Sequence, residues 1–194
     1  MTSSLVSVQS RTEADRLVPP AGIFEIDPVH TFVTFRAQHL IVGRVQGRFE
    51  TVSGTVTVEE NVLDSHVEVV IDAASVTTQF PMRDDDLRSP NFLDVASYPN
   101  LTFESTAITE LPWGQWSVTG DLTIKGVTVA TELIVEFGGA VPDPFGNLRA
   151  GFHATTTISR RDFGLVHQLE DHSGSLHVAR DVTIEIDAEA VHPL

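Results

Sequence analysis

The sequence has no cysteine, a single tyrosine, two tryptophans and two methionines. Without cysteine there can be no disulfide, no thiol nucleophile and no Cys-ligated zinc or iron–sulfur centre. A thiol-free chain suits reducing and oxidising compartments equally. Positive charge is also scarce: 12 Lys+Arg stand against 27 Asp+Glu, a net charge of −15. Such a field repels phosphate, which argues against nucleic acid and against electrostatic docking on anionic membranes. Long apolar runs are missing, so no segment reads as a bilayer-spanning helix. The opening Met1-Thr-Ser-Ser-Leu-Val-Ser-Val-Gln-Ser10 has neither the basic start nor the apolar block of a secretory leader, and the expectation is a cytoplasmic protein. No Gly-x-Ser-x-Gly elbow, phosphate-cradling P-loop or Gly-x-Gly-x-x-Gly fingerprint is present.

What remains is a composition of 41% hydrophobic and 20% charged residues over 194 positions, which belongs to a globular chain. That length makes one domain able to bury roughly 70% of its unfolded surface. Residues 1–20 read as a flexible or loosely packed arm ending at Pro19-Pro20, and residues 21–194 as the folded domain.

From Ile23 onward the dominant period is two. Val33, Phe35 and Ala37 alternate with Phe32, Thr34 and Arg36; Val67, Val69 and Ile71 alternate with His66, Glu68 and Asp72. The same pattern runs through Trp116, Val118, Leu122 and Ile124, through Leu133, Val135 and Phe137, through Phe152, Ala154, Thr156 and Ile158, and through Val182, Ile184, Ile186 and Ala188. One apolar and one polar face is the signature of half-buried antiparallel strands, and Val, Ile, Thr and Phe favour that geometry. One stretch changes phase: Val45, Gly47 and Phe49 are odd, whereas Val52, Gly54, Val56 and Val58 are even. A strand that keeps one face buried does this by adding a residue, which predicts a bulge or sharp bend near residues 50–53.

Residues 59–63 read as a hairpin turn around Asn61, Lys125-Gly126 as a tight hairpin, and residues 138–147, with Pro142 and Pro144, as a loop. Only residues 81–100 leave strand logic: one or two short helical turns are predicted near residues 83–96, bounded by Pro81, Pro90 and Pro99. The fold class is therefore all-β, a closed antiparallel barrel, with a two-sheet sandwich as the alternative.

The chemistry-bearing residues are dispersed. His167, His172 and His177 are spaced by five, which places them on one face of neither a helix nor a strand. Asp84-Asp85-Asp86 lacks the ligand spacing of a calcium loop and reads as a solvated acidic turn between Arg83 and Arg88. No metal and no cofactor is expected.

Several ordered segments resemble the YceI-like family of lipocalin-like barrels. They are Asp27-Pro-Val-His30 with Val33, Phe35 and His39-Leu40; Val45-Gln-Gly-Arg-Phe49 with Gly54-Thr55; and Arg83-Asp84, Leu87-Arg88-Ser89, Phe92-Leu-Asp94 and Tyr98-Pro99. Thr119-Gly-Asp-Leu-Thr-Ile124 with Gly126-Val-Thr128, then Asp143-Pro-Phe-Gly146, Arg149-Ala-Gly-Phe152, Ile158, Arg160 and Asp162-Phe-Gly-Leu165 complete the set, from about Ile23 to Val191. Asp86, Phe145, Ser159 and Val178-Ala-Arg-Asp-Val182 depart from the family pattern, at loops and strand ends.

The resemblance implies an extended eight-stranded antiparallel lipocalin-like barrel that binds a long isoprenoid lipid, of the isoprenoid quinone or polyprenyl phosphate type, without catalysis. Its partner would be that lipid, held for carriage, storage or buffering. The alternation nominates the lining: Val33, Phe35, Phe49, Val69, Ile71, Leu101, Phe103, Trp116, Val118, Leu122, Leu133, Val135, Phe152, Ile158, Ile184 and Ile186. Gly47, Gly54, Ala73, Gly120 and Ala154 at inward positions are expected to leave room for a tail. Arg83 and Arg88 are candidates to meet a polar head at the mouth. Two other functions are open. An eight-stranded barrel is narrow enough to be filled by its own side chains, which would make it a scaffold in a stress-related interaction. An enzyme acting on a quinone head would use a histidine such as His39 or His30. Outward Phe32, Val70 and Ile134 are compatible with a homodimer.

Overall fold

The computed structural model describes residues 11–13, 16–40, 42–167 and 178–194. Its strands are β1 (Arg11–Glu13), β2 (Arg16–Val18), β3 (Gly22–Ile26), β4 (Phe32–His39), β5 (Gly43–Phe49), β6 (Val52–Val58), β7 (His66–Asp72), β8 (Val76–Thr77), β9 (Asn100–Glu110), β10 (Gln115–Ile124), β11 (Val127–Pro142), β12 (Asn147–Ser159) and β13 (Val178–Pro193). One helix, α1 (Pro81–Arg88), joins β8 to β9.

The sheet closes on itself. The strands are bonded in the order β12-β11-β10-β9-β7-β6-β3-β13, and β13 returns to pair with β12. This is an eight-stranded antiparallel barrel, with β4, β5 and β8 extending it at one end. The long β13 serves both parts: Ala190 and Val191 pair with β3, and residues 182–187 pair with β4. Closure pairs every strand of the ring with a neighbour on each side over at least part of its length, which limits the exposed edges that endanger an all-β fold.

The phase change has the predicted outcome. β5 ends at Phe49 and β6 begins at Val52, and on both sides of the break the apolar residues Phe49, Val52, Val56 and Val58 face inward. Ser75 fastens the bend, its hydroxyl accepting from the amides of Glu50 and Thr51 at 3.1 Å each. Between β10 and β11, Lys125 (φ 50°) and Gly126 (φ 75°) form a two-residue turn with positive φ at both positions, whose twist matches the strands it joins. Asn61 caps a single 3₁₀ turn between β6 and β7.

One expectation needs correction. Residues 138–147 are not all loop: β11 runs through to Pro142, and only residues 143–146 turn. Proline is tolerated because it is the last residue of its strand. The ladder absorbs the irregularity as a register shift between Phe137 and Gly139. The described residues that lead into the barrel pack against it. β1 and β2 form a two-stranded ribbon, and Val18 is completely buried. Ala140, Ala150 and Ala190 lie in register across β11, β12 and β13, and Val18 packs in one cluster with them. Three small side chains in a row make a shallow bay, and a β-branched residue fills it.

The core divides in two. Phe24, Val58, Trp116, Leu148 and the alanine row close one end of the barrel. Ala73, Val76, Leu93, Ile124, Phe163 and Leu165 close the other.

Candidate binding site

Between those two plugs runs an axial cavity of about 280 Å³. Its wall comes from every strand of the ring, because each contributes its inward-pointing set. All sixteen residues nominated from the alternation line it: Val33, Phe35, Phe49, Val69, Ile71, Leu101, Phe103, Trp116, Val118, Leu122, Leu133, Val135, Phe152, Ile158, Ile184 and Ile186. Thr31, Ser65 and Thr156 supply the few side-chain oxygens. Thr31 donates to the carbonyl of Glu189 at 3.3 Å, and the Ser65 hydroxyl accepts the Glu59 amide at 3.0 Å. The wall is therefore almost wholly hydrocarbon. Among the described residues, it has no positioned acid or base.

The sequence reading missed part of the lining. Val52, Val56 and Val58 follow from the phase change and were legible in it. Leu87 and Leu93 reach the cavity from the helical excursion, and Pro19 from the arm, where no period of two exists to point inward. The inward glycines do not leave the room expected of them. A Cβ on Gly47 would meet the Phe35 ring at 2.4 Å, and one on Gly120 would meet the Phe103 ring at 2.5 Å. Each glycine makes space for a phenylalanine of the neighbouring strand, and the hollow lies beyond the rings. Ala73 is fully packed in the end plug, whereas Ala154 does line the cavity.

Arg83 and Arg88 stand on α1 beside Leu87, and neither lines the cavity. Arg83 donates to the Thr78 hydroxyl at 2.7 Å and its carbonyl at 3.2 Å, with its guanidinium over the Phe80 ring. Arg88 donates to the carbonyls of Ala74 and Val76 at 2.8 and 2.6 Å. Both brace β8 against the helix. Asp84 is buried, not solvated as its acidic neighbourhood suggested. Burial opposes its ionisation, but the hydroxyl and amide of Thr78 and the hydroxyl of Thr77 hold its carboxyl below the usual range.

Arg160 is 4% exposed, and burial pushes its guanidinium down from its ordinary value. It donates to the carbonyls of Leu165 and His167 and lies over the Phe92 ring, so it stitches the turn after β12 to the end plug. His172 and His177 lie outside the described residues. His39 is exposed on β4, and His30 is exposed with Nδ1 2.8 Å from Asp27. None of the described histidines lines the cavity.

An ion cluster sits at the outer end of β12. Arg149 reaches Asp27 at 2.5 Å, Glu189 at 2.8 Å and Asp143 at 3.4 Å. The Arg149 hydrogen bond holds the Asp27 carboxyl far below the usual carboxylate range despite partial burial. A depressed folded-state pKa adds stability that is present above the unfolded value near 4 and is lost as pH falls from there. Arg149→Met is therefore expected to cost roughly 1–3 kcal/mol at neutral pH. The gap in melting temperature from the unsubstituted protein should narrow steadily as pH drops from about 5 towards 2. Melting curves across that range check it; a gap constant with pH would show that Arg149 acts by packing alone.

Fold and site together define a class: a closed eight-stranded β-barrel around an apolar axial cavity. The YceI-like domain profile matches residues 24–190, and the chain belongs to that family. Protein YceI of Escherichia coli O157:H7 is 41% identical over 164 residues, covering 84% of this chain and 82% of that one. Burkholderia cenocepacia BcnA has the same fold at a TM-score of 0.71 and 23% identity, covering 84% of this chain and 98% of its own. A polyisoprenoid binding domain from Saccharophagus degradans, described as implicated in plant cell wall breakdown, superposes at a TM-score of 0.64 and 16% identity, covering 88% and 98%. Among the described residues, no helix is long and apolar enough to cross a membrane.

Proposed function

We propose that this protein binds a long apolar isoprenoid lipid along the barrel axis and carries, stores or buffers it without chemical conversion. The observation that supports this is the axial cavity, walled by hydrocarbon from the Pro19 and Val62 end to the Leu87 and Leu93 end. Its volume is close to the lower end of ligand pockets, about 300–1,000 Å³. A narrow hollow beside strands of up to 16 residues suits a thin, methyl-branched chain better than a compact ligand. The polyisoprenoid-binding description of the Saccharophagus domain agrees with this reading.

Energetics point to carriage. Each buried CH₂ gains about 0.8 kcal/mol relative to water, so a long tail would exceed the practical affinity ceiling near 18–21 kcal/mol if water were its alternative. Its alternative is a bilayer, which is equally apolar. Exchange between barrel and bilayer is then close to balanced, as a carrier requires. The test is organic extraction of purified, untagged protein followed by mass spectrometry. A prenyl lipid near one per barrel is expected; an empty barrel that also refuses prenyl lipid from vesicles would refute the reading.

A further inference from the structure

The ring is not uniformly sewn. The β11–β12 ladder stops at Ile134 opposite Thr155. Beyond it, β11 continues on β10 as far as Val127, and β12 continues on β13 as far as Ser159. Residues 127–133 and 156–159 thus face each other with no strand-to-strand bonds, and the two strands splay. An outer groove of about 520 Å³ fills the gap.

Two observations tie this groove to the lipid. Thr156 and Ile158 line both the groove and the axial cavity, so these two residues of a single strand stand between the two spaces. The rest of the groove differs in chemistry from the cavity: Thr131, Thr155, Thr157 and Ser159 offer hydroxyls, and Glu132 and Asp162 offer carboxylates. Among the described residues, no Lys, Arg or His lines it.

The geometry points to this seam as the place where the lipid passes between barrel and bilayer, with its head left in the groove. The head is neutral, a quinone or an alcohol, and not a phosphate. This rests on the lipid-binding reading above and narrows it. Along the paired part of the β11–β12 seam, from Ile134 to Pro142, a tail could cross the wall only by breaking a ladder of backbone bonds. Beyond Ile134 the β11–β12 ladder does not continue, and the amides along the facing edges and the groove hydroxyls can bond to a carbonyl or hydroxyl head. A phosphate would meet two carboxylates in a protein of net charge −15, with no cation among the groove's described residues to offset them.

The absence of native cysteine allows a clean test. Ala130→Cys and Ser159→Cys place one thiol on each side of the seam, to be joined by a cleavable bis-maleimide. Uptake is measured from phosphatidylcholine vesicles containing either a decaprenyl benzoquinone or undecaprenyl phosphate at equal mole fraction. Circular dichroism confirms that the joined protein is folded. Crosslinking should slow quinone uptake at least tenfold, and cleaving the linker should restore it. The phosphate should load at least tenfold less than the quinone. An unchanged rate across the joined seam, or equal loading of the two lipids, overturns this inference while leaving the carrier intact. If the unmodified protein takes up neither lipid, the carrier reading itself fails.

Discussion

Replacing Ala154 and Ala188 together by phenylalanine is expected to reduce co-purifying lipid at least tenfold while leaving the barrel folded. Both alanines line the axial cavity on adjacent strands, β12 and β13. Two rings placed there occupy the space a tail would take. The accompanying change in stability separates a hollow barrel from a plugged one. In a filled core, extra volume forces strained rotamers and costs about 1–3 kcal/mol per site. For a chain of this size, each kcal/mol lowers the melting temperature by roughly 2–4 °C. In a hollow core the rings bury apolar surface against Phe152, Val135 and Ile186 without displacing protein atoms. The melting temperature of the lipid-free variant should therefore equal or exceed that of the lipid-free parent. Lost loading with retained stability is the expected pair of results. Retained loading would place the lipid elsewhere, and a large fall in stability would mean that the axis was already filled.

That experiment bears on the step at which sequence stops being informative. Period-two alternation names the inward residues, since any inward residue of a closed barrel faces the axis, and all sixteen nominated positions do so. The odd-to-even switch between Phe49 and Val52 fixed the bend for the same reason: only an added residue keeps both halves facing inward. Whether the inward side chains meet across the axis depends on barrel radius and on the two end plugs. Those draw in part on Val18 in the arm and on Leu93, Phe163 and Leu165 in irregular segments, where no period exists. Charged residues were legible only as types. Asp84 looks like its neighbours Asp85 and Asp86 in sequence, yet it alone of the three is buried, because α1 turns it toward Thr77 and Thr78. The splayed β11–β12 seam left no trace, since its residues alternate as regularly as those of a sewn seam.

Glycine shows the same limit most sharply, and it carries the second prediction. Gly120 and Gly151 both sit inside strands with ordinary apolar and polar neighbours. A Cβ on Gly151 would meet nothing within 4 Å, whereas one on Gly120 would lie 2.5 Å from the Glu104 carbonyl oxygen and 2.5 Å from the Phe103 ring. The carbonyl belongs to the adjacent strand, at the register shift between Thr119 and Gly120, and cannot withdraw without parting β9 from β10. Phe103 is buried and can yield only toward the axis. Gly120→Ala is therefore expected to cost about 2–4 kcal/mol, a fall in melting temperature of roughly 5–15 °C. Gly151→Ala should stay within about 0.5 kcal/mol of the parent. Gly120→Ala should also lower lipid loading in the molecules that fold, because the displaced Phe103 ring enters the space of the tail. Equal melting temperatures for the two variants would show that strand β10 relaxes freely around position 120. The close approach of Phe103 would then not be what places the wall of the cavity.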